Sequence, residues 1–217
     1  MSLLEADGIS AGYRDRKVFR KLSLSLQEGE RVGLCGDNGS GKTTLLWSLV
    51  GLIPLVSGTI RWRGRSCENE TDWISLRREA TLLFQDPDDQ LFCPTVMEDV
   101  AFGPCNLGLS MEQAESRSMA VLEQLGLSSY ASRMSHKLSG GEKRLVSLAC
   151  VLAMEPKMLL LDEPLANLDV QSAARVRKIL AEIPCGFLLV SHDMCLLSEV
   201  TTRILRMTRD GMLQEIA

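Results

Sequence analysis

RVGLCGDNGSGKTT, residues 31–44, decides the fold. An apolar run from Val32 to Cys35 leads into glycines at 36, 39 and 41, then into Lys42-Thr43-Thr44. A short buried strand that enters a glycine turn and opens a helix is the setting in which Gly-x4-Gly-Lys-Thr binds phosphate. Glycine lets successive backbone N–H groups curl round phosphate oxygens, and the helix N-terminus adds positive potential. The nine residues Gly36, Asp37, Asn38, Gly39, Ser40, Gly41, Lys42, Thr43 and Thr44 therefore read as a nucleotide phosphate loop. Lys42 can reach the β- and γ-phosphates, and the Thr43 hydroxyl can ligate Mg²⁺.

The pattern on either side of this loop is strand and helix in alternation. Residues 3–13 and 18–26 alternate apolar and polar side chains, LSLSLQ most clearly, and read as paired strands. A helix is expected from Lys42 to Val50, and strands at 57–64 and 80–85. From Asp86 the character changes. TVMEDVAFG and SMEQAESRSMAVLEQLG read as helices, the second with Ser110 and Gln113 in capping-box spacing. This gives an inserted helical subdomain at 86–150 within a nucleotide-binding core of 1–85 and 151–217. Alternation then resumes with MLLLDE (158–163), a helix over 170–183, FLLVSH (187–192) and a short helix over 194–200. The tail reads as a hairpin turning at Asp210–Gly211. Such alternation implies an α/β fold, a mainly parallel sheet with helices on both faces.

In open α/β sheets, ligands sit at the carboxyl ends of the strands. Four apolar strands here end on Gly36, Gln85, Asp162-Glu163 and His192, so these residues would cluster. Asp162 suits a magnesium carboxylate, and Glu163 is placed to orient or deprotonate an attacking water. Gln85 is either a second Mg²⁺ contact that also relays motion or a surface side chain at a strand end. His192 either donates a hydrogen bond to a γ-phosphate or is a histidine satisfied by backbone. Tyr13 either stacks on adenine or is a hairpin surface tyrosine. Asp88 and Asp89 read as a solvated loop, and His136 as surface.

KLSGGEKRL (137–145) holds a second glycine turn, Ser-Gly-Gly, opening a helix. One nucleotide needs one cradle, so this turn is read as binding an anion supplied by another copy. Two chains head to tail would each close the other's ATP site with Ser139, Gly140 and Gly141. ATP would then act as glue, and hydrolysis would release the pair.

Bulk composition narrows the choices. The 217 residues carry a net charge of −4 with 45% apolar and 24% charged side chains. That is ordinary for a globular domain, and it offers no basic field for nucleic acid. Seven cysteines are odd in number and include no CxxC pair, so they read as reduced, mostly buried thiols. No export signal is expected from the acidic start. Runs such as LVSLACVLAM fall far short of the about 20 apolar residues needed to span a bilayer.

Taken in order, GDNGSGKTT, LSGGE, MLLLDEP, ANLD (166–169) and SHD (191–193) make the chain similar to the ATP-binding cassette (ABC) ATPases over nearly its whole length. The resemblance implies a P-loop NTPase (RecA-like) core with an N-terminal antiparallel β subdomain and an inserted α-helical subdomain. ATP and Mg²⁺ are the implied ligands, and ATP hydrolysis coupled to transport the implied activity. It also implies that Ser139 and Gly141 act across a dimer and that Asp169 couples the two sites. FQDPDDQLFCPTVMEDVAFGPCNLGLS (84–110) resembles the cobalt- and nickel-type energy-coupling-factor importers. That implies a second ATPase subunit, identical or paralogous, an integral membrane coupling subunit and a substrate-binding membrane subunit, at the cytoplasmic face of the cell membrane. Leu91, Phe92, Val96 and Phe102 either line a groove for a membrane subunit's helix or form the subdomain core.

The chain also departs from the family pattern. Asp37 stands where proline is usual and Thr43 where serine is common. Leu165 and Ala166 replace a Thr-Ser pair, which removes a hydroxyl near the opposite phosphate site. The chain ends soon after His192, so weak pairing without nucleotide is expected. Competing readings are a vitamin importer (biotin, for example), a soluble cassette acting on nucleic acid or ribosomes, and a small-molecule P-loop kinase.

Overall fold

The computed structural model describes residues 2–13 and 16–216. The chain divides into two compact units, one of residues 1–82, 157–162 and 184–217, the other of 83–156 and 163–183.

The first unit holds two sheets. In the smaller, β1 (Ser2–Tyr13) lies between β2 (Arg16–Gln27) and β4 (Leu55–Trp62), and the two-residue β5 (Arg65–Ser66) completes the order β2-β1-β4-β5. Its pairings are antiparallel. LSLSLQ shows why: Leu22, Leu24 and Leu26 are buried while Ser23, Ser25 and Gln27 are exposed, the period-2 signature of a half-solvated sheet. The larger sheet runs β10-β9-β3-β8-β7-β6. Here β3 is Arg31–Gly36, β6 Ala80–Leu83, β7 Met158–Asp162, β8 Gly186–Val190, β9 Arg203–Met207 and β10 Leu213–Ile216. Strand β3 pairs in parallel with β8 and β9, and β7 with β8, while β10 closes the edge antiparallel to β9. Strands β7 and β8 are buried at every position, as expected of parallel strands covered on both faces.

Side-chain alternation along β3 distributes the cover. Val32 and Leu34 join the core with Leu45, Leu46 and Leu49 of α1 (Lys42–Leu49). Between them, Gly33 leaves room for Leu197 of α7 (Met194–Val200). Helix α2 (Glu70–Glu79) has no counterpart in the sequence reading. Asn69 caps it and Asp72 returns the bond to the Asn69 amide. Only Leu76 of α2 is buried, so the helix lacks the apolar stripe by which helices are recognised.

The second unit is built on α3 (Val96–Asn106), α4 (Met111–Gln124), α5 (Gly140–Ala153) and α6 (Val170–Glu182). Helices α3, α4 and α5 pack on one another, and all three open with complete capping boxes: Thr95–Glu98, Ser110–Gln113 and Ser139–Glu142. Close approach of α3 to the end of α5 is set by Gly103, where a Cβ would fall 2.7 Å from the Met154 side chain.

Asp99, 4% exposed, organises the unit. Its carboxylate accepts from the amides of Phe92 (3.0 Å) and Cys93 (2.8 Å) and from the Ser135 hydroxyl (2.5 Å). Asp99→Ala leaves one buried and two part-buried donors without their acceptor and is expected to cost about 3 kcal/mol of stability, with Asp99→Asn costing less because it keeps an acceptor. Urea unfolding measures both, and equal stability of all three proteins would refute this role.

Candidate nucleotide-binding site

The four strands singled out by sequence are consecutive neighbours, β3-β8-β7-β6. Their register aligns Leu34 with Val190 and Val190 with Asp162. Gly36, Asp162 and the residue pair Ser191-His192 therefore leave one edge of the sheet together. Strand β6 stops at Leu83, two residues short of the expected end at Gln85. The cause is Arg144 of α5, buried, whose guanidinium donates to the carbonyl of Phe84 (2.6 Å) and to that of Gln85. Those carbonyls are taken from the ladder by a side chain about 60 positions away.

The loop between β3 and α1 has the form its glycines predict. Gly36 (φ 145°), Gly39 (φ 77°) and Gly41 (φ 106°) lie in the left-handed half of backbone space. At Gly36 a Cβ would sit 2.3 Å from the Met207 carbonyl oxygen, and at Gly41 2.4 Å from Val18 Cγ1. Both contacts forbid a side chain, so strands β9 and β2 dictate glycine here. No side chain caps α1 at Gly41, which leaves its first amides for an anion. Lys42 is buried, and its Nζ donates to the carbonyls of Gly36 (2.8 Å) and Asp37 (2.9 Å). The buried Ser40 hydroxyl has no partner among the described residues. Asn38 and Gly39 are exposed, Thr43 is half-buried and Thr44 is buried. An uncapped helix start, a buried ammonium and an orphaned hydroxyl fit a polyphosphate.

His192 is exposed and shares with Gly36 and Asp37 the lining of a cavity of about 530 Å³. Its neighbours are fixed. The Ser191 amide extends the β8–β3 ladder to Leu34, and Asp193 caps α7 through the Leu196 amide. Tyr13 ends β1 and is half-exposed. It belongs to the sheet whose Val18 and Phe19 abut Gly41. Thr43 supplies a hydroxyl and Asp162 a buried carboxylate; both are hard oxygen donors of the kind Mg²⁺ takes. Among the described residues no three His, Cys, Asp or Glu gather round a metal position, so water and phosphate oxygens would have to supply the rest of any Mg²⁺ shell.

In the second unit Glu163 directly follows Asp162 with φ 50°, a left-handed conformation that costs energy for a residue with a Cβ. Its carbonyl accepts from the Ala166 amide at 3.0 Å and starts the turn leading to Asp169. Asp169 caps α6, accepting from Gln171 and Ser172 amides at 2.9 and 3.0 Å. Bonds from Ser172 first, then Gln171, hold its carboxyl below the usual range. Gln85 is exposed.

At the start of α5, Ser139 and Gly140 are exposed. The capping box uses the amides of Ser139 and Glu142 and leaves those of Gly140 and Gly141 without an intrahelical acceptor. Bonds from Ser139, Tyr130 and then the charge of Arg133 lower the Glu142 pKa. The contribution of this box is thus present at neutral pH and lost as pH falls through that lowered value.

Sequence reading missed Arg144. Its signal was a lone arginine in an otherwise apolar helix segment, RLVSLACVLA. Leu91 is half-buried and Val96 fully buried, so these two belong to packing. Phe92 and Phe102 are exposed and meet edge to face, with ring centroids 4.8 Å apart. Phe102 also lines an apolar groove of about 270 Å³ with Met97, Ala101 and Met111, rimmed by Glu98 and Glu115. Cys93 and Cys105 lie in this groove, and burial and the Asp99 carboxylate push the Cys93 thiol up to about 11. All seven cysteines are free thiols, but only Cys35 is fully buried, fewer than expected. No helix of the described residues is long and apolar enough to cross a membrane.

The family model of the ABC transporter matches residues 19–166. A putative ABC transporter ATP-binding protein of Brucella suis is 53% identical over 211 residues, spanning 97% of this chain and 87% of its own. The energy-coupling factor transporter ATP-binding protein EcfA of Methanothermobacter thermautotrophicus is 38% identical, over 98% of this chain and 70% of its own. Among solved structures, CbiO1 of Clostridium perfringens, part of the ABC transporter complex CbiONQ, superimposes with a TM-score of 0.83 at 29% identity. That match covers 98% of this chain and 87% of CbiO1. A dimeric ATP-binding cassette bound to ADP and Pi shares the fold with a TM-score of 0.90 at 22% identity, over 98% of this chain and 97% of its own. With its phosphate loop, its LSGGE helix and these relatives, the chain belongs to the ABC transporter family as an ATP-binding ATPase.

Proposed function

We propose that this chain is the ATPase subunit of a membrane importer and works as a head-to-tail pair. Each nucleotide would be held by the phosphate loop of one copy and closed by Ser139, Gly140 and Gly141 of the other. The observation that carries this reading is the exposed start of α5, an anion-binding helix terminus, in a chain that already owns a phosphate loop.

In this scheme Lys42 leaves the carbonyls of Gly36 and Asp37 for the β- and γ-phosphates. Thr43, Asp162 and Gln85 offer oxygen ligands to Mg²⁺, which when bound offsets charge on the phosphates. Glu163 orients the attacking water and takes its proton. His192 donates to the γ-phosphate, Tyr13 stacks on the adenine, and Asp169 links the two sites. Closure of the pair drives the membrane subunits.

The groove of Met97, Phe102 and Met111 is the proposed seat of an amphipathic helix from the membrane coupling subunit. A substrate-binding membrane subunit would complete the assembly at the cytoplasmic face of the membrane. Cobalt or nickel ion is the proposed cargo, supported by the resemblance of residues 84–110 to that importer type. The test is co-purification from native membranes followed by uptake of labelled cobalt, nickel and biotin. Phe102→Asp is expected to lower recovery of the integral membrane subunit about tenfold, as loss of a buried aromatic anchor does. If the unaltered chain recovers no integral membrane protein, the importer reading fails.

A further inference from the structure

The phosphate loop carries an acid at Asp37, where the bound polyphosphate would be repelled by it. The main-chain carbonyl of Asp37 serves Lys42. Its side chain turns elsewhere: Oδ2 accepts from Arg209 Nε at 2.8 Å, across 172 residues of chain. The sheet explains the meeting. Strands β3 and β9 are parallel neighbours with Gly36 opposite Met207, so the residues that follow each strand emerge side by side. The hairpin tip that holds Arg209 is itself fixed. Thr208 accepts from the amides of Gly211 (3.0 Å) and Met212 (3.1 Å). Gly211 is buried against Phe19, where a Cβ would lie 2.4 Å from the Phe19 Cβ. Asp37 and Arg209 line the cavity that also holds His192 and Arg206, and Asp37 is the acid among its lining residues.

Both partners are largely solvent-exposed, so the pair adds little to folding. Its consequence would fall on an anion bound at the phosphate loop that carries Asp37. We infer that Arg209 is a positioning residue of the nucleotide site. It ties the Asp37 carboxylate into an ion pair and cancels its charge, so that affinity for the polyphosphate depends on the β9–β10 hairpin. This rests on the nucleotide site described above and extends it to a residue outside every family motif.

Binding of magnesium–ADP, followed by calorimetry at low and high salt, tests it. Arg209→Ala is expected to weaken binding about fivefold at low salt, an effect that shrinks as salt screens the exposed charge. Arg209→Lys keeps the charge and should stay within about twofold of the unaltered protein. Asp37→Asn alone should bind more tightly, and Asp37→Asn combined with Arg209→Ala should return affinity to near the starting value. A purely structural role for Arg209 predicts neither the salt dependence nor the rescue. If Arg209→Ala binds as well as the unaltered chain, or if Asp37→Asn fails to rescue it, the inference is wrong while the site stands. If the unaltered chain binds no magnesium–ADP, the nucleotide site falls and the inference with it.

Discussion

Glu163→Gln is expected to slow ATP turnover about a thousandfold, within the range that a general base contributes. It is also expected to leave ATP binding intact. Glutamine keeps the size and hydrogen-bonding reach of the side chain but cannot accept a proton from water. The backbone at this position is already committed: φ is 50°, and the Glu163 carbonyl is engaged by the Ala166 amide. A residue held in a costly conformation directly after the buried Asp162 is one whose geometry the fold maintains at some expense of stability. With hydrolysis blocked, the bridge between two copies is not removed, so the variant should accumulate as an ATP-bound dimer in ultracentrifugation. Normal phosphate release by Glu163→Gln would assign the water-activating role elsewhere.

The second large effect comes from mixing two inactive proteins. Lys42→Ala removes the ammonium of the phosphate loop, so both sites of a pair of such copies are expected to fail. Gly140→Asp places a carboxylate at the exposed start of α5. That substitution spares the fold, because a Cβ at Gly140 meets nothing within 4 Å and an acid in the first helical turn is favourable. It should nevertheless repel the neighbour's γ-phosphate and silence both sites. In a head-to-tail pair built from one copy of each variant, one site joins the Lys42 loop of the second protein to the Gly140 turn of the first. An equal mixture with free exchange should therefore recover about a quarter of normal ATPase activity, since half the dimers are mixed and each holds one good site. Recovery of nothing would refute a head-to-tail pair of identical copies.

Much of this site was legible because its chemistry is local. The phosphate loop follows from glycines, a lysine and a threonine within nine residues, and Asp162 from the apolar run before it. Four strands ending on polar residues pointed to ends that cluster in one sheet; their order, β3-β8-β7-β6, is read from the structure. What escaped had distant causes. Strand β6 ends early because Arg144, far along the chain, captures two carbonyls. Helix α2 was overlooked because one buried leucine makes no periodic stripe, although Asn69 and Asp72 held its capping signal. The apolar residues of 91–102 could not be sorted by sequence either. Val96 and Phe102 look equally hydrophobic, and only packing shows that the first is buried and the second exposed.

The grip of Arg144 has a mechanical meaning. Its two bonds tie the body of α5, which Ser139 caps, to the backbone at 84–85. Within this unit the helix and residues 84–85 are therefore expected to move as one piece, so that a displacement of that backbone would reach the serine end. Burial and two acceptors leave the guanidinium little rotamer freedom with which to absorb such a displacement.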